Sequence, residues 1–319
     1  MPIVKSSYRP PWWFKNLHLQ TIYPSGFRKI KDVKYQRERI NTSDGDFLDL
    51  DWSNVSSNQL VIAIHGMESS STSSYMLGIA RALNKSGIDF VAMNLRGCSG
   101  EQNRAVGAYH SGRTDDIETT VSHVVKDNRY QEIFLVGFSL GGNMLLKYLG
   151  EQGDKINPLV KKAVAVSTPC HLESCTAEMD KKSNQFYLKI FLRSLCKKVQ
   201  GKAKIRPGEI DDKNHDQIKT FKDFDDRYTA PNHGFKDALD YYRINSSKQF
   251  IPKIRIPTLL INAQDDPFLS SECYPKKEAK ENPHFFLEAP RYGGHLGFIA
   301  FNSQREYWHE SRIIEFIRS

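Results

Sequence analysis

The sequence predicts an α/β fold with a mostly parallel central sheet flanked by helices, and three observations support this prediction. Short apolar runs recur between stretches of helical periodicity, which is the pattern of alternating strands and helices. Several of these runs are apolar throughout, as strands are when both faces of a parallel sheet are covered. The length of 319 residues suits one large domain with an insertion, or two domains.

The predicted elements follow one another along the chain. We expect strands over residues 33–35, 47–52, 60–64, 90–93, 133–136, 163–166, 258–261 and 285–287. One helix is predicted from apolar residues that share a helix face, namely Met76, Ile79, Ala80 and Leu83. A second helix is predicted over residues 115–125, with Thr114 as its N-cap, because a threonine hydroxyl can accept from a free N–H of the first turn.

The alternation of strands and helices stops after residue 167. From about residue 168 to residue 247 the strand signal disappears, so we expect a helical cap inserted into a core formed by residues 1–167 and 248–319. The cap contains a basic window, residues 181–206, with nine Lys or Arg and no Asp or Glu. Because the formal net charge of the whole chain is +8, the rest of the chain is nearly neutral.

One amphipathic helix is predicted inside the basic window, over residues 188–199. Its apolar face, which we expect to close a pocket, is formed by Leu188, Phe191, Leu192, Leu195 and Val199. Its basic face carries Lys189, Arg193 and Lys197. Two interpretations of this face stay open: its charges are solvated, or residues 181–206 make peripheral contact with anionic membranes.

The composition excludes several classes of protein. With 39% hydrophobic and 26% charged residues, the chain is typical of globular proteins. It contains no run of the roughly 18 to 20 apolar residues that a membrane-spanning helix needs, and its first residues include Lys5, Arg9 and prolines where a secretory signal is apolar. Five cysteines without a C-x-x-C pair favour reduced thiols. We therefore expect a cytoplasmic protein that needs no metal.

A candidate nucleophile, Ser139, lies between a predicted strand and a predicted helix. The chain reads Gly137-Phe138-Ser139-Leu140-Gly141 at this point. The pattern G-x-S-x-G is modest evidence alone, but a strand before it and a helix after it are what a nucleophile elbow requires. The glycines allow strand and helix to approach closely while Ser139 occupies a strained turn, with its Oγ at the helix N-terminus.

Backbone donors for an oxyanion are predicted next to this nucleophile. The strand at 60–64 is followed by His65-Gly66-Met67, a turn that can direct a backbone N–H at the same point. The N–H groups of Met67 and Leu140 would then stabilise negative charge on a carbonyl oxygen. His65 is a weaker candidate for the base, because the histidine of such a turn usually has a structural role.

An acid and a base follow the nucleophile in the order Asp, then His. Asp265 and Asp266 come shortly after the strand at 258–261, and the glycine-flanked His295 comes after the next strand. The carboxyl ends of parallel strands meet at one edge of a sheet, so these side chains can join Ser139 in a triad. The residues alone leave the choice between Asp265 and Asp266 open.

Four segments outside these candidates carry further information. They are Pro-Trp-Trp-Phe-Lys-Asn-Leu-His-Leu-Gln-Thr-Ile at 11–22, Asn-Leu-Arg-Gly-Cys at 94–98, Tyr-His-Ser-Gly at 109–112 and Phe-Asp-Asp-Arg-Tyr-Thr-Ala at 224–230. With them, the chain from about residue 10 to the C-terminus resembles the YheT-like branch of the α/β-hydrolase superfamily. The resemblance implies an α/β-hydrolase fold and a catalytic triad of Ser139, Asp266 and His295.

The resemblance also implies a function. It indicates hydrolysis of carboxylic esters, either acyl lipids or short esters, without a cofactor. Thioesterase or acyltransferase activity on the same triad is the alternative, because the triad determines acyl chemistry but not the leaving group. A non-catalytic module that binds nucleic acid is disfavoured, since no nucleic-acid motif accompanies the basic window. Eukaryotic relatives often carry an N-terminal membrane anchor, and its absence here favours a bacterial-type cytoplasmic enzyme.

Two further features have competing interpretations. Trp12, Trp13 and Phe14 could dock a partner or a membrane, but we favour an aromatic arm that packs on the core. The acidic pairs at 115–116 and 225–226 lack the spacing of a calcium-binding loop, so we interpret them as solvated caps or helix starts.

Overall fold

A nine-stranded sheet forms the centre of the protein. The structure is a computed structural model that describes residues 2–319. Its strands are β1 Ile3–Val4, β2 Gln36–Asn41, β3 Phe47–Ser53, β4 Gln59–Ile64, β5 Asp89–Asn94, β6 Glu132–Phe138, β7 Val160–Val166, β8 Thr258–Ile261 and β9 Phe285–Glu288. They lie in the order β1-β9-β8-β7-β6-β4-β5-β3-β2. Only the pairs β2–β3 and β3–β5 are antiparallel, so the predicted mostly parallel sheet is confirmed.

Helices cover the two faces of this sheet. They are α1 Leu17–Phe27, α2 Ser74–Lys85, α3 Thr114–Lys126, α4 Leu140–Gln152, α5 Leu172–Met179, α6 Gln185–Ile205, α7 Phe221–Phe224, α8 Ala230–Asn232, α9 Ala238–Asn245, α10 Lys276–Glu281 and α11 Trp308–Arg318. Strand β4 shows how the core divides: Leu60, Ile62 and Ile64 pack against α3 and α4, whereas Val61 and Ala63 pack against α2 and α11. Continuous apolar runs therefore mark strands that are buried on both faces.

The prediction of a first strand at residues 33–35 is wrong, because the strand of this region begins one residue later, at Gln36. Val33 and Tyr35 pack on the core without pairing, and β2 begins at Gln36. Strand β2 is largely polar because it lies at the edge of the sheet. Its arginines pair across the strands, Arg37 with Asp51 and Arg39 with Asp49, in direct register. Opposite charges on facing residues stabilise an antiparallel pair of strands. A search for apolar periodicity does not detect a strand that is stabilised in this way.

Both predicted helices of the core are present. The apolar face at 76–83 belongs to α2, where its four residues are buried. The helix predicted at 115–125 is α3, but Thr114 is its first residue and not its N-cap. Arg113 occupies the cap position, and the Thr114 hydroxyl instead donates to Glu151 on α4, 2.6 Å away.

A buried arginine joins the loop after β5 to α3 and to the β2–β3 turn. The Arg96 guanidinium is fully buried and donates to Asp116 at 2.7 Å, to Asp44 at 2.7 Å and to Asp46 at 3.2 Å. The interpretation of Asp116 as a solvated helix start is therefore wrong in one respect: it starts the helix but is buried against Arg96. Because buried charges are removed from water, this cluster is stable only while each charged group keeps its oppositely charged partner.

Between β7 and β8 the described chain contains helices and no strand. Helices α5 to α9 lie in this segment, together with a π-helical turn at Asp225–Thr229. Helix α6 is longer than predicted, and two residues of its expected apolar face, Leu188 and Leu192, pack in a separate apolar cluster with α7 and Phe268. The cap helices thus have a small core of their own above the carboxyl edge of the sheet.

The N-terminal arm packs on the core only in part. Phe14 is buried, but Trp12 and Trp13 are 76% and 54% exposed, so the expectation that all three aromatic residues pack on the core is wrong for the two tryptophans. No helix among residues 2–319 is long and apolar enough to cross a membrane.

We predict that Arg96→Met destabilises the protein by about 3–5 kcal/mol, because it leaves buried carboxylates without their cation. The loss is measured as the change in unfolding free energy by urea denaturation. Arg243→Met is the control, since Arg243 pairs with Asp240 at the exposed surface and its loss should have far less effect. Equal effects of the two substitutions would contradict this account of Arg96.

Candidate active site

Ser139 lies on a sharp turn between β6 and α4. Its backbone has φ 51° and ψ −120°, a left-handed conformation that is strained for a residue with a side chain. The turn is possible because α4 lies close both to β6 and to the end of β4: a Cβ at Gly137 would lie 2.5 Å from the carbonyl oxygen of Gly141, and one at Gly141 would lie 2.5 Å from that of His65. The two glycines of the motif therefore hold Ser139 above the sheet edge.

The structure brings Ser139, His295 and Asp266 together. The His295 Nε2 atom lies 3.0 Å from Ser139 Oγ, and Nδ1 lies 2.9 Å from Asp266 Oδ2. The Asp266 side chain is fully buried. Because an ionised carboxylate only accepts hydrogen bonds, it assigns the proton to Nδ1 and leaves Nε2 to accept from the serine hydroxyl.

Asp265 lies next to this group but contacts a different part of it. Its Oδ1 accepts from the N–H of Gly294 at 2.9 Å, so it holds the loop that carries His295 rather than the imidazole itself. Burial, with the neighbouring charge of Asp266, raises the pKa of Asp265 to about 6. Of the two carboxylates, Asp266 is the one in contact with the His295 imidazole.

Two other elements hold the His295 loop. The N–H of His295 donates to Thr21 Oγ1 of α1 at 3.0 Å, and the N–H of Leu296 donates to Ser167 Oγ at 3.0 Å. Helix α1, whose first six residues belong to the 11–22 motif, therefore positions the histidine from the far end of the sequence. Sequence spacing could not reveal this contact, because 274 residues separate Thr21 from His295.

The turn after β4 lies against the serine. A Cβ at Gly66 would be 3.0 Å from Ser139 Cβ, so Met67 follows within reach of the nucleophile. Leu140 is the first residue of α4, where N–H groups have no acceptor within the helix. His65 is fully buried, and both ring nitrogens have partners: Nδ1 donates to Gly66 O, and Nε2 accepts from the N–H of Leu95. Burial lowers the pKa of His65 to about 4.

A buried ion pair connects this turn to the cap, and sequence reasoning missed it. Glu68 accepts from Ser194 Oγ at 2.5 Å and from Tyr109 OH at 2.7 Å, and it pairs with Lys198 Nζ at 2.7 Å. Burial alone would raise the pKa of Glu68, but Lys198 and these hydrogen bonds hold it below its usual value. Ser194 and Lys198 both lie on α6. The residue after Met67 therefore fastens the cap helix to the proposed oxyanion turn.

A cavity between the cap and the sheet edge adjoins four of the five predicted site residues, and Asp266 lies behind His295. Ser139, His295, Met67 and Leu140 line it. Most of its wall is apolar and comes from the cap, including Leu172, Met179, Phe191, Leu195, Val199, Phe221 and Phe224, and Phe268 of the core adds to it. Three residues of the predicted apolar face of α6 thus contribute to this wall. The space suits an extended apolar group better than a charged one.

The cavity wall also has a polar region, which includes His110 of the segment 109–112 and Asp225 of the segment 224–230. The rings of His110 and His233 lie 4.5 Å apart, and Asp225 accepts from Tyr242 OH at 2.6 Å. These residues line the cavity. Burial raises the pKa of Asp225 to about 6 and lowers that of His233 to about 4. The interpretation of Asp225 as a solvated cap position is therefore wrong.

Comparison with known proteins identifies the family of the chain. A family model described as the alpha/beta hydrolase fold matches residues 59–300. The chain belongs to the α/β-hydrolase family. YheT, a candidate esterase of Escherichia coli (strain K12), is 36% identical over 98% of this chain and 93% of its own length. The predicted fold and the predicted resemblance to YheT-like members of the family are thus confirmed.

Two more known proteins mark the range of the similarity. Phospholipase ABHD3 of Bos taurus is 30% identical, over 93% of this chain and 74% of that protein. The solved structure of the Pyrococcus furiosus esterase Pf2001 superposes with a TM-score of 0.60 at 21% identity, covering 91% of this chain and 96% of that one. The second similarity is one of fold.

We predict that Glu68→Gln loosens α6. Losing the charged hydrogen bonds of Glu68 should lower the free energy of local opening by about 2 kcal/mol, which corresponds to roughly thirtyfold faster amide hydrogen exchange in α6. The control is Glu178→Gln, which removes a pair with the exposed Lys181 just before α6. Unchanged exchange in the Glu68 variant would show that the ion pair does not fasten the cap.

Proposed function

We propose that the protein is a serine hydrolase that cleaves carboxylic esters through a triad of Ser139, His295 and Asp266. The observation that carries this proposal is the hydrogen-bonded series from Asp266 through His295 to Ser139 Oγ, at the floor of an apolar cavity. The N–H groups of Met67 and Leu140 are the proposed oxyanion donors. Because these groups complete the reaction, the proposed mechanism needs no cofactor.

The first half of the reaction transfers the acyl group to the enzyme. His295 Nε2 takes the hydroxyl proton as Ser139 Oγ attacks the ester carbonyl carbon, and the oxyanion that forms accepts from Met67 and Leu140. Asp266 stabilises the imidazolium by accepting from its Nδ1–H. When the intermediate collapses, His295 gives its proton to the departing alkoxide, so an alcohol leaves and an acyl-serine remains.

The second half of the reaction releases the acid. A water molecule gives a proton to His295 Nε2 as its oxygen attacks the acyl carbon, and the same N–H groups stabilise the second oxyanion. Collapse breaks the bond to Ser139 Oγ, which regains its proton from His295. The apolar wall formed by α5, α6 and α7 supports an ester with an alkyl acyl chain as the substrate class, in keeping with the names of esterase and phospholipase that relatives bear.

We predict that a fluorophosphonate labels Ser139 and that Ser139→Ala abolishes labelling. Hydrolysis of p-nitrophenyl octanoate should fall by a factor on the order of 10⁴ to 10⁶ in kcat, the usual cost of losing the nucleophile of a triad. Ser122→Ala is the control, because Ser122 lies on α3 and contacts only Glu118 through its hydroxyl. A folded wild-type protein that neither labels nor hydrolyses esters would refute the proposed function.

The two neighbouring acids should differ in their effect on catalysis. Asp266→Asn should lower kcat by roughly 10⁴, because an amide at this position favours the wrong imidazole tautomer. Asp265→Asn should cost far less, since the asparagine oxygen can still accept from Gly294. Steady-state kinetics of both variants test this, and the reverse ranking would assign the acid to Asp265.

A further inference from the structure

Large apolar side chains are exposed in one region of the surface. Thirteen large hydrophobic residues are exposed among residues 2–319, and eight of them belong to the N-terminal arm, α1, the start of α6 and the loop before α11. They are Trp12, Trp13, Leu19, Ile22, Phe27, Phe186, Ile190 and Phe301. We call these eight residues the apolar rim. Scattered exposed apolar residues are ordinary, but a cluster of this kind marks an interaction site.

Helix α1 buries polar side chains and leaves several apolar ones exposed. The side that faces the protein carries Gln20, which accepts from Tyr8 OH at 2.7 Å, and Thr21, which holds the His295 loop. The side that faces water carries Leu19, Ile22 and Phe27. A helix that stabilises a globular protein buries its apolar side. The apolar side of α1 is therefore available for something outside the chain.

Aromatic contacts connect the members of the apolar rim. The Tyr23 ring lies 5.1 Å from Phe27, 4.9 Å from Phe14 and 6.5 Å from Phe301. On the other side of α1, His18 Nδ1 lies 3.0 Å from Tyr187 OH, which brings the start of α6 and its exposed Phe186 against this helix. The four chain segments that carry the rim therefore meet at α1.

This surface adjoins the active site. Tyr187 packs on Phe268, with ring centroids 4.9 Å apart, and Phe268 packs on the His295 ring at 4.4 Å. Phe268 also lines the cavity. A molecule that covers the apolar rim therefore lies one or two side chains from the reacting atoms.

The charge around the rim identifies what can cover it. Two segments supply seven of its eight residues: residues 1–31, with six Lys or Arg, and residues 181–206, with nine, and neither contains an Asp or Glu. Since the net charge of the chain is +8, the remainder is acidic. Several of the cations stand exposed beside the rim, among them Lys15, Lys29, Lys31, Lys189 and Arg193. Apolar and aromatic side chains bordered by cations match an anionic lipid surface.

We propose that the apolar rim docks this protein on anionic phospholipid bilayers, with Trp12, Trp13 and the outer side of α1 inserted among the lipids. Tryptophan is well suited to this position because its ring is apolar and its N–H can remain hydrated. The proposal concerns binding and does not depend on ester hydrolysis. It extends the expected membrane contact of residues 181–206 to a surface that α1 and the arm dominate.

The test compares vesicle binding of two matched double variants. Leu19→Gln/Ile22→Gln changes two rim residues that are 51% and 44% exposed, and Leu239→Gln/Ile244→Gln changes two residues of α9 that are 46% and 37% exposed. Vesicles of phosphatidylglycerol and phosphatidylcholine, or of phosphatidylcholine alone, are added to each protein. Tryptophan emission reports insertion directly, since Trp12 and Trp13 belong to the rim, and cosedimentation gives the affinity.

We expect a blue shift of the emission and tight binding of the wild type to the anionic vesicles only. The rim variant should bind at least about tenfold more weakly, because two side chains lose their transfer into the lipid, while the α9 variant binds as the wild type does. Ser139→Ala should also bind normally, which separates this result from failure of the proposed function. Absent vesicle binding, or equal loss in both double variants, would overturn the proposal. A wild-type dimer that the rim variant converts to monomer, without vesicle binding, would identify a second copy of the chain as the occupant.

Discussion

The close approach of β6 and α4 is the constraint on which the rest of the site depends. A side chain at Gly137 or Gly141 would collide with backbone atoms, and this tight crossing holds Ser139 in its left-handed conformation. The strain is compensated by β4, β6 and β7, whose residues are almost completely buried and paired in register around the turn. The buried centre of the sheet thus presents the nucleophile in a fixed position, so little reorganisation is needed when an ester reaches it.

The rest of the site is held by segments that come from the two ends of the chain and from the cap. Helix α1 fixes the His295 loop through Thr21, and α6 is fastened to the turn after β4 through Glu68 and Lys198. The ion pair between Glu68 and Lys198 therefore joins the cap side of the cavity wall to the turn that carries Met67, one of the two proposed oxyanion donors. A displacement of the cap would alter both the space for substrate and the turn that carries Met67, which couples substrate binding to the geometry of the reaction.

The sequence predicts what depends on local pattern. Apolar runs identify seven of the nine strands, and the motif around Ser139 identifies the elbow, because strand period, helix period and glycine spacing are all local signals. The pattern fails where stability comes from pairs distant in sequence. The polar strand β2 depends on arginines facing Asp49 and Asp51, and the role of Glu68 depends on a lysine 130 residues later.

Whether a given side chain is exposed or buried was the property that the sequence predicted least well. The aromatic pair at Trp12 and Trp13 has the composition of a core segment, and only the structure shows that both rings face water. The fold likewise separates the charges of the basic window. Inside the protein, Lys198 pairs with Glu68 and Lys202 donates to Asn103. On the surface, Lys189, Arg193 and Lys197 remain exposed. A charge run therefore has no single role, since neighbouring lysines on one helix point to different environments.

The crystal structure of the covalent adduct formed with a diethyl phosphate ester tests the central claim most directly. The account predicts a phosphorus atom bonded to Ser139 Oγ, with one phosphoryl oxygen roughly 2.7–3.1 Å from the N–H nitrogens of both Met67 and Leu140. His295 Nε2 should remain within hydrogen-bond distance of the adduct. An adduct on another residue, or a phosphoryl oxygen that contacts neither N–H group, would contradict the proposed site.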